Sequence, residues 1–283
     1  MELVHTISEI RSNINFQKQK GQTIGFVPTM GALHEGHLSL VRRAKSECDI
    51  VVTSIYVNPA QFNDPNDLKK YPRTLESDLE LLKKEQCELV FTPTETEISG
   101  SEKPDVSQYD FGQLESVMEG KFRQGHFKGV AYIVHSLFDI ITPDKAYFGE
   151  KDFQQLTIIQ ELVKIYNLPV EIVPCSTIRE SDGLAMSSRN INLSEEERKT
   201  ALLLSSSLYQ SKELANSLSP LKVKDQIIKE LQSNDHLQLE YFDIIDAKKL
   251  QPINEWNESN QVRACIAAYV GNIRLIDNMK IIP

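Results

Sequence analysis

The sequence has few cysteines and no long apolar run, and each absence removes a class of protein. The 283 residues include 4 cysteines, which are Cys48, Cys87, Cys175 and Cys265. They form no C-x-x-C pair, so neither a zinc knuckle nor a disulfide framework is indicated. No run approaches the about 18 apolar residues of a membrane-spanning helix, and the first residues lack the basic start and apolar stretch of a secretion signal. We therefore expect a cytoplasmic protein with no membrane partner.

Basic residues are also in the minority. Lys and Arg number 31 against 40 Asp and Glu, which gives a formal net charge of −9. Because affinity for nucleic acid comes mostly from Lys and Arg on phosphates, we expect no nucleic-acid partner. The motifs G-x-G-x-x-G, G-x-x-x-x-G-K-[ST] and G-x-S-x-G are absent too. Their absence argues against a standard dinucleotide fold, a P-loop kinase and a serine hydrolase.

Short apolar runs alternate with helical patterns through the first two-thirds of the chain. The predicted strands are 23–28, 50–57, 88–92, 145–149 and 170–175. The predicted helices are 37–48, 74–86, 129–141 and 151–166. This alternation predicts an α/β fold, a Rossmann-like parallel sheet with helices on both faces. Ligands of such sheets bind beyond the carboxyl ends of the strands, so the residues after each strand are the candidates for function.

The pattern changes after about residue 185. Ser194 followed by Glu197 is a capping box that starts one helix, and a second helix is predicted near 220–232. Three strand-like runs follow, at 238–245, 261–270 and 272–280, with a hairpin signal at Gly271-Asn272. We therefore expect a nucleotide- and substrate-binding domain at 1–185 and a smaller α+β C-terminal domain at 186–283.

The segment PTMGALHEGHL (28–38) follows the first of these strands. A glycine turn that enters a helix exposes backbone N–H groups with the helix dipole behind them, which is an anion site. His34 and His37 are three residues apart, so helical geometry would direct both rings to the same side, where they could donate to phosphate oxygens. Two ordinary surface histidines are the alternative. Zinc is weaker, because the H-E-x-x-H motif spaces its histidines by four.

Three later segments also carry polar groups at strand ends or beyond the last predicted strand of the sheet. Asn58 and Gln61 follow the second strand, although taken alone they are explained better by an ordinary polar loop. Residues 148–155 combine a glycine, a lysine and several polar side chains at a strand–helix junction. Residues 179–190 are rich in hydroxyls and carry two arginines, as a mobile triphosphate-binding loop would, or a linker. Thr74 is the predicted cap of helix 74–86.

Six segments share one order and spacing with a known family. They are PTMGALHEGHLSLVRRAK (28–45), YVNPAQF (56–62), YPRT (71–74), GHFKGV (125–130), FGEKDFQQL (148–156) and DGLAMSSRN (182–190). Together they resemble the pantothenate synthetase, or pantoate–β-alanine ligase, family over the chain up to about residue 190. The H-E-G-H and M-S-S-R elements also resemble the two signatures of nucleotidyltransferases related to class I aminoacyl-tRNA synthetases.

The resemblance implies a reaction and a set of site residues. ATP would activate (R)-pantoate as pantoyl adenylate, β-alanine would displace AMP, and Mg²⁺ would accompany ATP. His37 and His34 would be catalytic on the phosphates, with His37 the proton donor, and Gln61, Gln155 and Arg123 would bind pantoate and β-alanine. The residues implied to bind ATP are Met30, Gly31, Ala32, Leu33, His34, Glu35, Gly36, His37, Gly149, Glu150, Lys151, Asp152, Ile178, Met186, Ser187, Ser188 and Arg189.

Two further expectations follow from the resemblance. The helix after YPRT reads Leu75-Glu76-Ser77-Asp78, where some relatives carry adjacent aspartates, so we expect phosphates and water to hold Mg²⁺, with Asp78 the alternative protein ligand. A homodimer is the implied assembly.

Two other functions fit parts of this pattern. One is another adenylyl-transferring enzyme, including a synthetase that charges tRNA, and the acidic net charge disfavours the tRNA substrate. The other is a nucleotide-binding module without catalysis, which would have no need to keep His37, Lys151 and Arg189 together.

Overall fold

The computed structural model describes residues 1–63, 65–100 and 105–282, and the chain divides into two compact units. Unit 1 comprises Met1–Gly112, Arg123–Glu150 and Gln155–Ser176. Unit 2 comprises Gln113–Phe122, Lys151–Gln154 and Thr177–Pro283. The division of the chain by function at residues 185 and 186 stays a prediction.

The described residues contain helices and strands in the following order. The strands are β1 (Glu2–Val4), β2 (Ile24–Thr29), β3 (Ile50–Ile55), β4 (Leu89–Phe91), β5 (Lys145–Gly149), β6 (Glu171–Cys175), β7 (Leu237–Asp246), β8 (Val262–Val270) and β9 (Ile273–Ile282). The helices are α1 (Ile7–Gln19), α2 (Glu35–Glu47), α3 (Pro65–Lys70), α4 (Leu75–Lys84), α5 (Glu95–Ser99), α6 (Met118–Phe122), α7 (His126–Ile141), α8 (Phe153–Ile165), α9 (Glu195–Leu214) and α10 (Pro220–Gln232). None of these described helices is both long enough and apolar enough to cross a membrane.

Unit 1 is organised around a parallel sheet of six described strands in the order β1-β4-β3-β2-β5-β6. From β2 the chain moves outward through β3 to β4, and it later returns to the other side of β2 with β5 and β6. Strand order therefore reverses between β2 and β5, where Gly25 pairs with Lys145 and Phe26 with Ala146. Ligands of open parallel sheets bind at such a reversal, beyond the carboxyl ends of the strands.

The predicted strands of this sheet are confirmed, and in β2 to β5 most of the β-branched and aromatic residues are buried. Val27, Val51 and Val90, one from each of three neighbouring strands, have no exposed surface and belong to one core cluster with Val41 and Ala44 of α2. The sequence prediction omits β1 and α1. The α1 helix is amphipathic, with Ile10 and Ile14 buried one turn apart, and a capping box between Thr6 and Glu9 starts it.

Unit 2 carries the predicted smaller α+β structure. Strands β7, β8 and β9 form an antiparallel sheet, and Gly271, with φ of 56°, turns the chain between β8 and β9. The capping box of Ser194 with Glu197 is confirmed at the start of α9. The apolar faces of α9 and α10 share one core with the sheet, in which Leu204 and Ile227 are buried.

Candidate active site

The loop between β2 and α2 has an unusual backbone and is hydrogen-bonded to a buried carboxylate. Gly31 has φ of 78° and Ala32 φ of 50°, so two successive residues adopt the left-handed region. Two N–H groups at this turn donate to Asp78 of α4: Ala32 N to Oδ2 at 3.0 Å and Leu33 N to Oδ1 at 2.8 Å. Asp78 is only 1% exposed. A buried carboxylate therefore fixes the loop.

Asp78 also bonds the residue that precedes α4. The Thr74 hydroxyl donates to Asp78 Oδ1 at 3.2 Å and makes no side-chain cap on the helix. Thr74 is the N-cap residue, as predicted, but its side chain does not cap the helix, because its hydroxyl bonds the carboxylate instead of a backbone N–H. A β-carbon on Gly31 would lie 3.0 Å from Asp78 Oδ2, so any side chain here would crowd the carboxylate.

His34 and His37 cap α2 reciprocally. His34 is the N-cap, with extended backbone, and its Nδ1 accepts from Gly36 N at 3.1 Å, while His37 Nδ1 accepts from His34 N at 3.3 Å. The ring centroids are 4.1 Å apart. A ring nitrogen that accepts an N–H bond holds a lone pair, so the proton of each neutral imidazole is on Nε2. Both rings are thus Nε2–H donors.

The backbone of this helix start differs from the expected open anion site. The N–H groups of Gly31, His34 and Gly36 donate to side-chain atoms of Thr29, His37 and His34, and Asp78 takes those of Ala32 and Leu33. These five donors are therefore engaged within the protein. An anion at this loop would be bound mainly by the imidazoles rather than by those amides.

A short 3-10 turn, Pro59–Gln61, follows β3 and buries two polar side chains. Asn58 is 2% exposed and Gln61 8%. Asn58 Nδ2 lies 3.3 Å from Gln61 Oε1, and Gln61 Nε2 lies 2.8 Å from Met30 Sδ. Because β3 neighbours β2, the structure brings Gln61 against Met30, two of the residues predicted for the site.

Burial also acts on the neighbouring tyrosine. Tyr56 lies directly after β3, and burial raises its pKa to about 12, with the negative charge of Glu95 adding to the shift. The phenol is therefore neutral at physiological pH.

Arg123 precedes α7 and His126 is its first residue, and both belong to unit 1. Arg123 Nη1 is 3.0 Å from His126 Nε2, and His126 Nδ1 is 2.7 Å from the carbonyl oxygen of Gln61. The structure thus connects Arg123 and Gln61, both predicted to bind substrate, through a histidine to which the sequence interpretation gave no role.

The remaining unit 1 candidates follow β5. Gly149 ends that strand, Glu150 begins a 3-10 turn, and Gln155 lies partly exposed in the first turn of α8. A β-carbon on Gly149 would meet no atom within 4 Å. The space beside this strand end is therefore open.

Lys151 and Asp152 belong to unit 2. The Lys151 carbonyl accepts from Asn278 Nδ2 at 2.8 Å, and the Lys151 ammonium lies 3.9 Å from the Asp152 carboxylate. Both residues are in the 3-10 turn Glu150–Asp152, so the predicted helix 151–166 begins instead at Phe153.

Residues 178–186 form a hydrogen-bonded hairpin in unit 2, where the sequence predicts a mobile loop. Met186 N donates to the Ile178 carbonyl at 3.0 Å, and Arg179 and Ala185 form an antiparallel bridge. Arg198 supports the tip, with its guanidinium 2.7 Å from the carboxylates of both Glu180 and Asp182. The structure therefore brings together two predicted nucleotide ligands, Ile178 and Met186.

The turn after the hairpin holds the next candidates. Ser187 Oγ accepts from Arg189 N at 3.3 Å, and the Ser187 carbonyl accepts from Asn190 N at 3.0 Å. Asn190 Nδ2 donates to Glu180 Oε1 at 2.7 Å and to the Ala185 carbonyl at 3.1 Å, so it joins the hairpin to this turn. Ser188 lies inside the same turn.

Comparison with known proteins decides the family. The family model for pantoate-beta-alanine ligase matches residues 2–280. The chain belongs to this family.

Relatives and solved structures agree with the assignment. The chain is 48% identical over 280 residues to pantothenate synthetase of Porphyromonas gingivalis and 50% identical over 281 residues to that of Phocaeicola vulgatus, covering 99% of each chain. Pantothenate synthetase from Thermus thermophilus superposes with a TM-score of 0.92 at 39% identity and full coverage of both chains. The ligase from Francisella tularensis, solved with beta-gamma ATP and beta-alanine, gives 0.81 at 35% identity, covering 99% of this chain and 97% of that one. The resemblance and the fold class predicted from the sequence are confirmed. The chain described in this structure is an ATP-dependent ligase that joins pantoate to β-alanine.

Two features of this ligase escaped sequence reasoning. The anchoring role of Asp78 depends on a contact across 45 residues, and the His126 link to Gln61 spans 65. Only the position of His126 inside the quoted GHFKGV segment could have drawn attention to it.

Proposed function

We propose that the enzyme works in two steps through a pantoyl adenylate. The carboxylate of (R)-pantoate attacks the α-phosphorus of ATP, a P–O bond forms, and the bond to pyrophosphate breaks. The amine of β-alanine then attacks the acyl carbon, the C–O bond to AMP breaks, and the amine loses a proton as the amide of pantothenate forms. Neither step needs a covalent protein nucleophile, so positioning and charge stabilisation must supply the rate.

The observation that carries this proposal is the pair of histidines at the strand reversal. His34 and His37 follow β2, their Nδ1 atoms accept backbone N–H bonds, and each Nε2 carries a proton. Such donors stabilise the negative charge that builds on the phosphate oxygens as pyrophosphate leaves. We assign His37 as the proton donor and His34 as its partner on the phosphates.

We assign substrate and nucleotide contacts as follows. Gln61 contacts pantoate and β-alanine, Gln155 holds pantoate, and Arg123 supplies a cation for a substrate carboxylate. In unit 1 the nucleotide residues are Met30, Gly31, Ala32, Leu33, Glu35, Gly36, Gly149 and Glu150. In unit 2 they are Lys151, Asp152, Ile178, Met186, Ser187, Ser188 and Arg189. Lys151 and Arg189 provide positive charge, and Ser187 and Ser188 provide hydroxyls.

Mg²⁺ fits this enzyme as a companion of ATP rather than as a resident ion. Among the described residues, no three His, Cys, Asp or Glu side chains cluster as a metal site. Both oxygens of Asp78 already accept hydrogen bonds from the loop and from Thr74. The ion would therefore be held by phosphates and water, and it would neutralise phosphate charge there. We propose that Asp78 positions the loop.

The assembly and the compartment are also proposals. We propose a homodimer, as the family resemblance implies, and light scattering measures its mass directly. We propose a cytoplasmic enzyme, because Cys48, Cys87, Cys175 and Cys265 are all free thiols, as a reducing compartment keeps them. Nucleic acid and membranes are not among the proposed partners.

Exchange of labelled pyrophosphate into ATP tests the proposed first step. Exchange should require pantoate and should proceed without β-alanine. Replacing His37 with alanine would remove a helix cap as well as an imidazole, so we choose H37Q and H34N. Gln at N3 and Asn at the N-cap retain the capping acceptors. We expect H37Q to slow single-turnover adenylation by about 10²–10³, the scale for one transition-state donor.

H236A is the matched control, because His236 is exposed and donates to Asn234 through its backbone N–H, which alanine keeps. It should exchange pyrophosphate at the normal rate. Exchange that needs a standard amino acid, or that fails with every carboxylate, would refute the pantoyl adenylate. A normal adenylation rate in H37Q would remove His37 from the catalytic residues.

A further inference from the structure

The start of α7 and the residues just before it lie against the turn that carries Gln61, joined by three side chain–backbone hydrogen bonds and one close backbone approach. Asn58 Nδ2 donates to the Gly129 carbonyl at 3.0 Å, and His126 Nδ1 lies 2.7 Å from the Gln61 carbonyl. Asn63 Nδ2 donates to the Gln124 carbonyl. A β-carbon on Gly129 would overlap the Ala60 carbonyl and lie 2.8 Å from Gln61 N, so only glycine permits this approach.

The bonding partners of His126 fix its tautomer. A backbone carbonyl only accepts, so Nδ1 must carry the proton that bonds Gln61. A guanidinium only donates, so Nε2 must hold the lone pair that accepts from Arg123. The ring is therefore the neutral Nδ1–H form, and it is 5% exposed. This is the opposite tautomer to that of His34 and His37.

We propose that His126 is a positioning residue that fixes Gln61 for substrate through the Gln61 carbonyl. The bond from His126 holds the backbone of the turn, while the Gln61 side chain remains the group that contacts pantoate and β-alanine. The inference rests on the proposed role of Gln61. The second hydrogen bond of His126, which Arg123 donates, orients the ring and connects Arg123, the proposed carboxylate ligand, to the same turn.

The chemistry of the ring predicts which substitutions are tolerated. Phe retains the ring volume and loses both bonds. The amide nitrogen of Asn occupies the place of Nδ1 and can still donate to Gln61, whereas the longer Gln reaches Arg123 and not the carbonyl. We expect H126F and H126Q to raise the KM for pantoate and for β-alanine by about 3- to 10-fold, the range for one lost hydrogen bond. H126N should restore both values to within about twofold, on the same scale. The KM for ATP and the pyrophosphate-exchange kcat should stay within about twofold in all three.

A double-mutant cycle with Q61A separates positioning from general destabilisation. Q61A removes the side chain that reads pantoate and retains the carbonyl that His126 bonds. If His126 acts through Gln61, H126F adds less than about twofold to the pantoate KM in the Q61A background. The same 3- to 10-fold factor in both backgrounds would overturn the inference. If H126F does not fold, H126Q takes its place in the cycle.

H135Q is the control, because His135 is on the same helix and its Nδ1 lies 3.1 Å from the Tyr109 hydroxyl instead of the Gln61 turn. Its substrate KM values should match those of the unmodified enzyme, and a rise equal to that of H126Q would overturn the inference. An unchanged pantoate KM in Q61A itself would refute the proposed role of Gln61, and any KM effect of H126F would then have another origin.

Discussion

Asp78 gives the sharpest test of how the loop between β2 and α2 is held. Its carboxylate accepts from two backbone N–H groups and one hydroxyl while being 1% exposed. In D78N the shape is kept, but one acceptor oxygen becomes an NH₂ donor. That donor faces Ala32 N or Leu33 N, which loses its partner in a site with little access for water.

The size of the effect follows from one broken, charge-assisted bond. Bonds to charged groups contribute about 1.5–3 kcal/mol, and a buried donor left unpaired costs about 1–3 kcal/mol. These figures describe the same lost bond, so we expect D78N to lower the free energy of unfolding by about 2 kcal/mol. Urea denaturation measures it. Displacement of the loop should also raise the KM for ATP.

Asp49 supplies the matched control. It too accepts from a backbone N–H and a hydroxyl, those of Thr23, at 2.9 and 2.7 Å, but it is exposed. Because water replaces the lost acceptor, D49N should cost no more than about 1 kcal/mol and leave the ATP KM unchanged. A D78N enzyme with normal stability, and with a raised Mg²⁺ requirement, would refute the anchoring role and favour Asp78 as a metal ligand.

Two further predictions concern Arg189 and the cysteines. R189A should raise the KM for ATP with little change in the KM values for pantoate and β-alanine. K199A, which removes an exposed cation ten residues later in α9, should leave the KM for ATP unchanged. Equal ATP saturation in both variants would remove Arg189 from the site. Burial raises the pKa of Cys175 to about 11 from an ordinary 9.0, so at pH 8 its thiolate fraction and its alkylation rate by iodoacetamide should be about 100-fold below those in the urea-unfolded chain. Unfolding lets this thiol ionise from about pH 9, while the folded state keeps it neutral up to about pH 11, so the free energy of unfolding should fall as pH rises through that window. Alkylation of the native thiol at the unfolded rate would contradict the burial.

The fold was predictable because its signals are local. Runs such as Ile50–Ile55 are apolar or β-branched at every position but Ser54, and the helices between them carry a 3.6-residue pattern, so neither needs distant partners to be recognised. The short β1 strand cannot be recognised from the sequence, because three residues carry no period; it exists through its pairing with β4. The strand order itself, with its reversal between β2 and β5, also required the structure.

The sequence supplies the residues proposed for the site, whereas their hydrogen bonding required the structure. The spacing of His34 and His37 indicates a site, and a glycine turn before a helix predicts open amides around them. It could not assign those amides, because the acceptors include Asp78, which is 45 residues away from Leu33 in sequence, and the imidazoles themselves. At N3, Glu and Gln are the residues known to cap, so a histidine there gave no capping signal.

The two histidines join local folding to the proposed chemistry in the same rings. Each Nδ1 supports the start of α2, and that bond is what leaves the proton on Nε2 for a phosphate oxygen. An alanine at either position therefore changes the helix start, the partner's tautomer and the donor at once, and its rate loss overstates the contribution of the imidazole. Variants that keep the capping acceptor lose only the Nε2–H donor. The difference in rate between H37A and H37Q therefore measures how much of the loss comes from the disturbed helix start.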